Sequence, residues 1–249
     1  MIKDKYSQYI RTIELKRKEI DDFECYPYNL NAVKYLNEIS MHPNVTFFVG
    51  ENGSGKSTLL EAIAVSFGFN PEGGTKNFNF STYESHSDLY RYLKIIKGLK
   101  HPKDGFFLRA ESFYNVASNI EQLDSEGIGA RVIDSYGGVS LHKQSHGESF
   151  MSVFLNRLNG KGIYIFDEPE AALSPNRQLA FLSRMHHLVE EDAQFIIATH
   201  SPIIMSYPNS KIINLDDKMK EIKYEKTEHY LITRDFLNNT EKMLHLLME

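Results

Sequence analysis

Residues Gly50-Glu51-Asn52-Gly53-Ser54-Gly55-Lys56-Ser57 place two glycines, a lysine and a hydroxyl at the spacing G-x-x-x-x-G-K-[ST]. Glycines at these positions let the backbone curl so that successive N–H groups point inward at phosphate oxygens. A helix starting near Lys56 adds the positive end of its dipole. Lys56 then reaches the β- and γ-phosphates, and Ser57 offers its hydroxyl to magnesium. The spacing predicts a nucleoside triphosphate site, ATP with Mg2+, formed by Gly50, Glu51, Asn52, Gly53, Ser54, Gly55, Lys56, Ser57 and Thr58. A glycine-rich turn that matches by accident is the bland alternative. An apolar run ahead of the loop and helical spacing behind it both argue against that.

The second run with chemistry is Ile163-Tyr164-Ile165-Phe166-Asp167-Glu168. An acidic residue at the C-terminal end of a buried parallel strand lies on the sheet edge where ligands bind. Asp167 is expected to hold magnesium through water, opposite Ser57. Glu168 is expected to take a proton from the attacking water as general base. Taken alone, an apolar strand ending in Asp-Glu is also how a surface turn reads; the phosphate loop gives the pair its meaning.

These residues need elements to hold them. Tyr9 to Leu15 alternates apolar and polar residues, as a half-buried strand does. Val45-Thr46-Phe47-Phe48-Val49 reads as a buried strand, and Leu59, Leu60, Ile63, Ala64 and Phe67 recur at helical spacing. Helices are expected over Leu89 to Leu99, from Gly147 to Gly160, over Gln178 to Val189 and from Arg234 to Met248. Strands are expected over Phe106 to Ala110 and Phe195 to Ala198, with a hairpin across Asp216-Asp217. Alternating strands and helices predict an α/β fold with a mainly parallel central sheet.

Composition sets the outer limits. The 249 residues are 41% hydrophobic and 24% charged, enough for one domain with its own core. The single cysteine, Cys25, excludes an intramolecular disulfide. No apolar run is long enough to span a bilayer, so the expectation is a cytoplasmic protein without membrane insertion. A net charge of −5 gives no global pull towards nucleic acid. Lys94, Lys97, Lys100 and Lys103 recur every three residues. On a helix the first three would share a face, either for phosphates of a nucleic acid or simply for solvent. No histidine spacing matches a metal site.

With these runs in place, the sequence resembles the ABC-type ATPases. Asp167-Glu168-Pro169-Glu170-Ala171-Ala172-Leu173-Ser174 looks like their Walker B and D-loop run, and Gln144-Ser145-His146-Gly147-Glu148 like their signature motif. Thr199-His200-Ser201 is similar to their switch-histidine motif. More narrowly, the chain resembles small ATPases of the AAA_21/AAA_23 type, relatives of SMC and Rad50 heads without a coiled-coil arm. The resemblance implies one ABC-ATPase-like domain over 1–249. Its nucleotide lobe covers about 1–74 and 160–249, and a small, mostly helical inserted lobe covers about 75–159. It also implies an ATP-dependent homodimer in which Ser145, His146, Gly147 and Glu148 of one subunit face the γ-phosphate held by the other. A capping box is the bland reading of Ser145 and Glu148, and the two roles can coexist. His200 would sense the γ-phosphate and orient water together with Glu168.

The sequence also departs from the family pattern. His146 stands where the family has glycine, and Ser174, followed by Pro175, stands where it has aspartate. No glutamine clearly marks the Q-loop; the resemblance implies that Glu111, after the Phe106 to Ala110 strand, stands in that place and contacts magnesium through water. Tyr26 and Tyr28 could stack on adenine or pack in the core. The expected activity is hydrolysis of ATP to ADP and phosphate, acting as a switch on an unknown protein or nucleic-acid partner, in a DNA-repair, defence or toxin-like setting. The other readings are a nucleotide-binding subunit of an ABC transporter, a P-loop kinase and a binding switch without hydrolysis.

Overall fold

The computed structural model describes residues 8–75, 87–109, 113–126 and 131–249. Nine strands and eight α-helices are defined among them: β1 (Ile10–Leu15), α1 (Asn31–Lys34), β2 (Glu38–Ser40), β3 (Val45–Val49), α2 (Lys56–Phe67), β4 (Leu93–Lys97), β5 (Asp104–Arg109), α3 (Phe113–Glu126), α4 (His146–Ser152), β6 (Gly162–Asp167), α5 (Pro175–Glu190), β7 (Gln194–Ala198), α6 (Pro202–Met205), β8 (Ser210–Asn214), β9 (Lys220–Ile222), α7 (Glu228–Asn238) and α8 (Thr240–Met248).

A six-stranded sheet runs in the order β5-β6-β7-β3-β8-β9. Every pairing in it is parallel except the hairpin β8–β9. Strands β3, β6 and β7 are buried along their whole length, which is why their sequences are nearly continuous apolar runs rather than alternating ones. Successive side chains point to opposite faces. Phe47, Phe166 and Phe195 therefore join one core cluster with Phe154 and Phe181, while Phe48, Ile165 and Ile196 join another with Ile63 of α2. In the first cluster the Phe154 and Phe181 rings stack with centroids 4.3 Å apart, a contact worth about 1 kcal/mol beyond its buried area. The second cluster is closed by a small antiparallel sheet, β2-β1-β4.

Two expectations are corrected. Leu89 to Leu99 is not a helix. A 3-10 turn over Asp88–Tyr92 leads into β4, which pairs antiparallel with β1. The β-branched pair Ile95-Ile96 favours a pleated surface, and β1 supplies the pairing partner that sequence alone does not show. The lysines consequently do not share a face. Lys94 pairs with Glu14 at 2.8 Å, Lys97 lies 5.0 Å from the Phe67 ring centroid, and Lys100 is 3.9 Å from Asp192. The C-terminal stretch starts earlier than Arg234 and is broken in two at Asn239 (φ −138°, ψ 37°).

Within 75–159, β4 and β5 are strands of the two sheets, and the helical part is α3, α4 and short turns between and after them. Among the described residues, no helix is long and apolar enough to cross a membrane.

Candidate functional site

Parallel strands bring their C-terminal ends to one edge, and β6, β7 and β3 are consecutive in the sheet. The loops that follow them, far apart in the chain, therefore meet. The loop after β3 is the glycine-rich one. Gly55, with φ 96°, turns the chain into α2, and a Cβ there would stand 3.0 Å from the Cβ atoms of both Leu30 and Ala32. A side chain at this position would be strained in conformation and tight against both neighbours. Lys56 is buried, and its Nζ donates to the carbonyl oxygens of Gly50 (2.9 Å) and Glu51 (3.0 Å). Burial pushes its ammonium below the ordinary lysine range, against the opposing pull of the Glu168, Asp167, Asp216 and Glu170 carboxylates.

Beside it, the Ser57 hydroxyl donates to Asp167 Oδ1 at 3.1 Å. A hydroxyl and a carboxylate so placed are hard oxygen donors that suit Mg2+, which takes few protein ligands and fills its shell with phosphate and water oxygens. Among the described residues, no group of three or more His, Cys, Asp or Glu could hold a metal by itself. Arg109, at the end of β5, reaches the same carboxylate from the other side. The register of β5 on β6 sets Arg109 opposite Asp167. Its Nε is 3.8 Å from Asp167 Oδ2, and its Nη1 is 2.5 Å from Glu61 Oε2 on α2.

Glu168 has φ 49°, a left-handed conformation for a residue with a side chain. Such strain costs on the order of 1 kcal/mol and persists where surroundings enforce it; here the Glu168 N–H donates to the Ala198 carbonyl at 3.0 Å. The Glu168 carboxylate lies 3.4 Å from His200 Nε2. Burial, and then the charge of Lys56, hold His200 below the usual histidine range, opposed by Glu168. Glu170 supports the loop that carries His200: it accepts the Thr199 hydroxyl at 2.8 Å and the His200 N–H at 2.5 Å. Burial raises the pKa of Glu170 while these hydrogen bonds oppose the rise.

Lys56, Ser57, Thr58 and Glu168 line a cavity of about 240 Å³ together with Asn52 and Tyr26. Tyr26 is thus at the cleft. Tyr28 instead donates to Asp88 at 2.7 Å and packs edge-on against Tyr92. The run Ser145, His146, Gly147 and Glu148 is elsewhere: among the described residues, none of the four lines that cavity. Ser145 precedes α4, and its N–H and hydroxyl both donate to the Glu148 carboxylate, at 2.9 and 2.7 Å. These bonds, with the nearby Arg177, lower the Glu148 pKa. Gly147 has a packing role as well. A Cβ there would stand 2.2 Å from Arg177 Nη1 and 2.6 Å from the Ala172 carbonyl oxygen. Ser174 stands at the residue before α5, without a side-chain hydrogen bond to the helix, and Pro175 opens it. Glu111 lies outside the described residues.

The site also contains residues the sequence reading did not single out. Asp216, in the β8–β9 turn, accepts the Glu51 N–H at 2.6 Å and so pins the start of the phosphate loop. Arg109, Glu61 and His229 likewise come from positions with no local motif, and Glu170, although inside the Asp167 to Ser174 run, takes no role of its own from that run. The Arg109 position carried one readable signal, since a strand paired in parallel beside β6 must end beside Asp167.

The sequence matches the family described as the AAA domain, AAA_23, over residues 19–245. It is 25% identical over 219 residues to the chromosome partition protein Smc of Methanocaldococcus jannaschii, a match covering 78% of this chain and 17% of that protein. It is 26% identical over 167 residues to the Retron Vc95 probable ATPase of Vibrio cholerae, covering 58% of this chain and 30% of that one. The chain thus spans less than a third of the length of either relative. Among solved structures it is similar to cbiO1 from Clostridium perfringens, part of the ABC transporter complex cbiONQ. That match has 16% identity, covers 97% of this chain and all of that one, and has a TM-score of 0.49.

Proposed function

The chain belongs to the AAA_23 family of AAA domains, and from that premise we propose that it is an ATPase of the SMC and ABC P-loop class that hydrolyses Mg-ATP between two copies of itself. The observation that carries the reading is the meeting of Lys56, Ser57, Asp167, Glu168 and His200 at one sheet edge, from three separate loops. In this account the loop N–H groups from Gly50 to Thr58 cradle the phosphates, and Lys56 exchanges its carbonyl partners for β- and γ-oxygens. Ser57 and Asp167 hold magnesium, which when bound neutralises charge on those oxygens. Glu168 takes the proton of the attacking water, and His200 Nε2 donates towards the γ-phosphate.

The pairing of two copies rests on the signature run. Ser145 and Gly147 stand at a helix start outside their own cleft, so a second copy is what would bring them to a γ-phosphate. The Ser145 hydroxyl, now on Glu148, would turn to that oxygen. The pair of sites acts as a switch on a partner, a protein or a nucleic acid, that binds one state better than the other.

The test is phosphate release by the purified protein with ATP and Mg2+ and no acceptor. Steady release at a rate within about 10^−2 to 10 per second is expected, the range of unassisted to median enzymes. ATP binding without release would leave a binding switch, and release only when a small-molecule acceptor is added would establish a kinase.

A further inference from the structure

His200 has two ring nitrogens with different surroundings. Nε2 is buried, makes no hydrogen bond among the described residues and faces Glu168 Oε1 at 3.4 Å. Nδ1 lies 2.7 Å from Nε2 of His229, a residue in the first turn of α7. The two rings meet at 62° with centroids 4.8 Å apart, an edge-on arrangement that aims one nitrogen at the other. Two neutral imidazoles can share such a contact in only one sense at a time, one nitrogen giving its proton and the other accepting it.

The α7 end is itself strapped to the histidine loop. Tyr224 donates its hydroxyl to the Pro202 carbonyl at 3.0 Å, and Thr227, buried at the start of α7, donates to the Tyr224 carbonyl at 2.7 Å. His229 therefore arrives at His200 on a fixed segment rather than a free side chain.

We propose that His229 is a positioning residue that donates its Nε2–H to His200 Nδ1 and so keeps the His200 proton on Nε2. The proposal rests on the hydrolytic reading above, because only an Nε2–H can donate into the cleft. The alternative tautomer would present a bare nitrogen to Glu168 and to a phosphate oxygen, both of which are acceptors. Which nitrogen of a histidine carries the proton is set by the partner of the other, and His229 is the partner here. The burial of His200 and the charge of Lys56 both favour the neutral ring, the form in which the choice of tautomer matters.

The chain has ten histidines, and two-bond nitrogen–proton NMR on histidine-labelled protein reports their tautomers without any turnover. His200 is assigned by its loss in His200→Gln. The expected result is the Nε2–H tautomer in the wild type and a mixture in His229→Ala. A wild-type His200 that is Nδ1–H, or a tautomer unchanged in His229→Ala, would overturn the proposal whether or not the protein hydrolyses ATP. In steady-state assays His229→Ala should lower kcat about tenfold, roughly the loss of one hydrogen bond in the transition state, with KM for ATP unchanged. His229→Gln, whose amide can donate from a similar position, should recover most of it. Equal activity in wild type and His229→Ala would overturn the positioning role, and so would an equal loss in Ala and Gln variants that melt like the wild type. An inactive wild type with the expected tautomers would instead count against the hydrolytic reading.

Discussion

Replacing Glu168 by glutamine is expected to lower the rate of ATP hydrolysis by about 10^2- to 10^4-fold, the usual contribution of a positioned general base. The substitution is nearly isosteric. The backbone at 168 is fixed by its N–H bond to Ala198 and by the turn that follows, so the amide should occupy the place of the carboxylate. It keeps a hydrogen-bonding oxygen within reach of His200 but cannot take a proton from water. Removing a negative charge from a cleft that must accept a triphosphate should leave affinity for ATP equal or somewhat tighter. The pattern to look for in single-turnover and binding measurements is therefore loss of the chemical step with binding retained. A fall of less than threefold would mean that Glu168 is not the base and that the strained φ of 49° serves only the turn.

Lys56→Ala should do the opposite and remove binding. In the structure the ammonium is buried and donates to two loop carbonyls, so it is already in place and needs only to exchange partners. Charge-assisted hydrogen bonds are each worth about 1.5–3 kcal/mol. Two of them to phosphate oxygens correspond to a loss of about 10^2-fold or more in Kd. Titration calorimetry with ATP and Mg2+ reads this directly. Either variant leaves the Gly50 and Glu51 carbonyls without the Lys56 donor; Lys56→Met, which keeps the apolar stem that alanine lacks, separates loss of the ammonium from loss of packing. An affinity within threefold of wild type in Lys56→Met would show that phosphate is held elsewhere.

The parts of this site that could be read from sequence share a physical reason. Phe47 to Val49, Ile163 to Phe166 and Phe195 to Ala198 are apolar because parallel strands covered on both faces leave no room for polar residues. Each run stops where its chemistry begins, at Gly50, Asp167 and Thr199. Such boundaries are local, and a single sequence displays them. Arg109, Glu170, Asp216 and His229 could not be found this way. The role of each comes from a neighbour fixed by strand register or by a distant loop. His229 lies 29 positions from the ring it touches, and Asp216 lies 165 positions from the N–H it accepts. The Leu89 to Leu99 segment failed for a related reason. Short apolar stretches flanked by lysine fit a helix or a strand, and only the presence of β1 decides between them.

The claim on which the rest depends is that one chain holds half of each nucleotide site. Its most direct measurement is the mass of Glu168→Gln by size-exclusion light scattering, with ATP and Mg2+ and again with ADP. ATP should shift the protein from the mass of one chain to that of two, because hydrolysis no longer separates the copies, and ADP should leave it as one. A mass of one chain at saturating ATP would contradict the account: Ser145 and Gly147 would then be a capped helix start and nothing more.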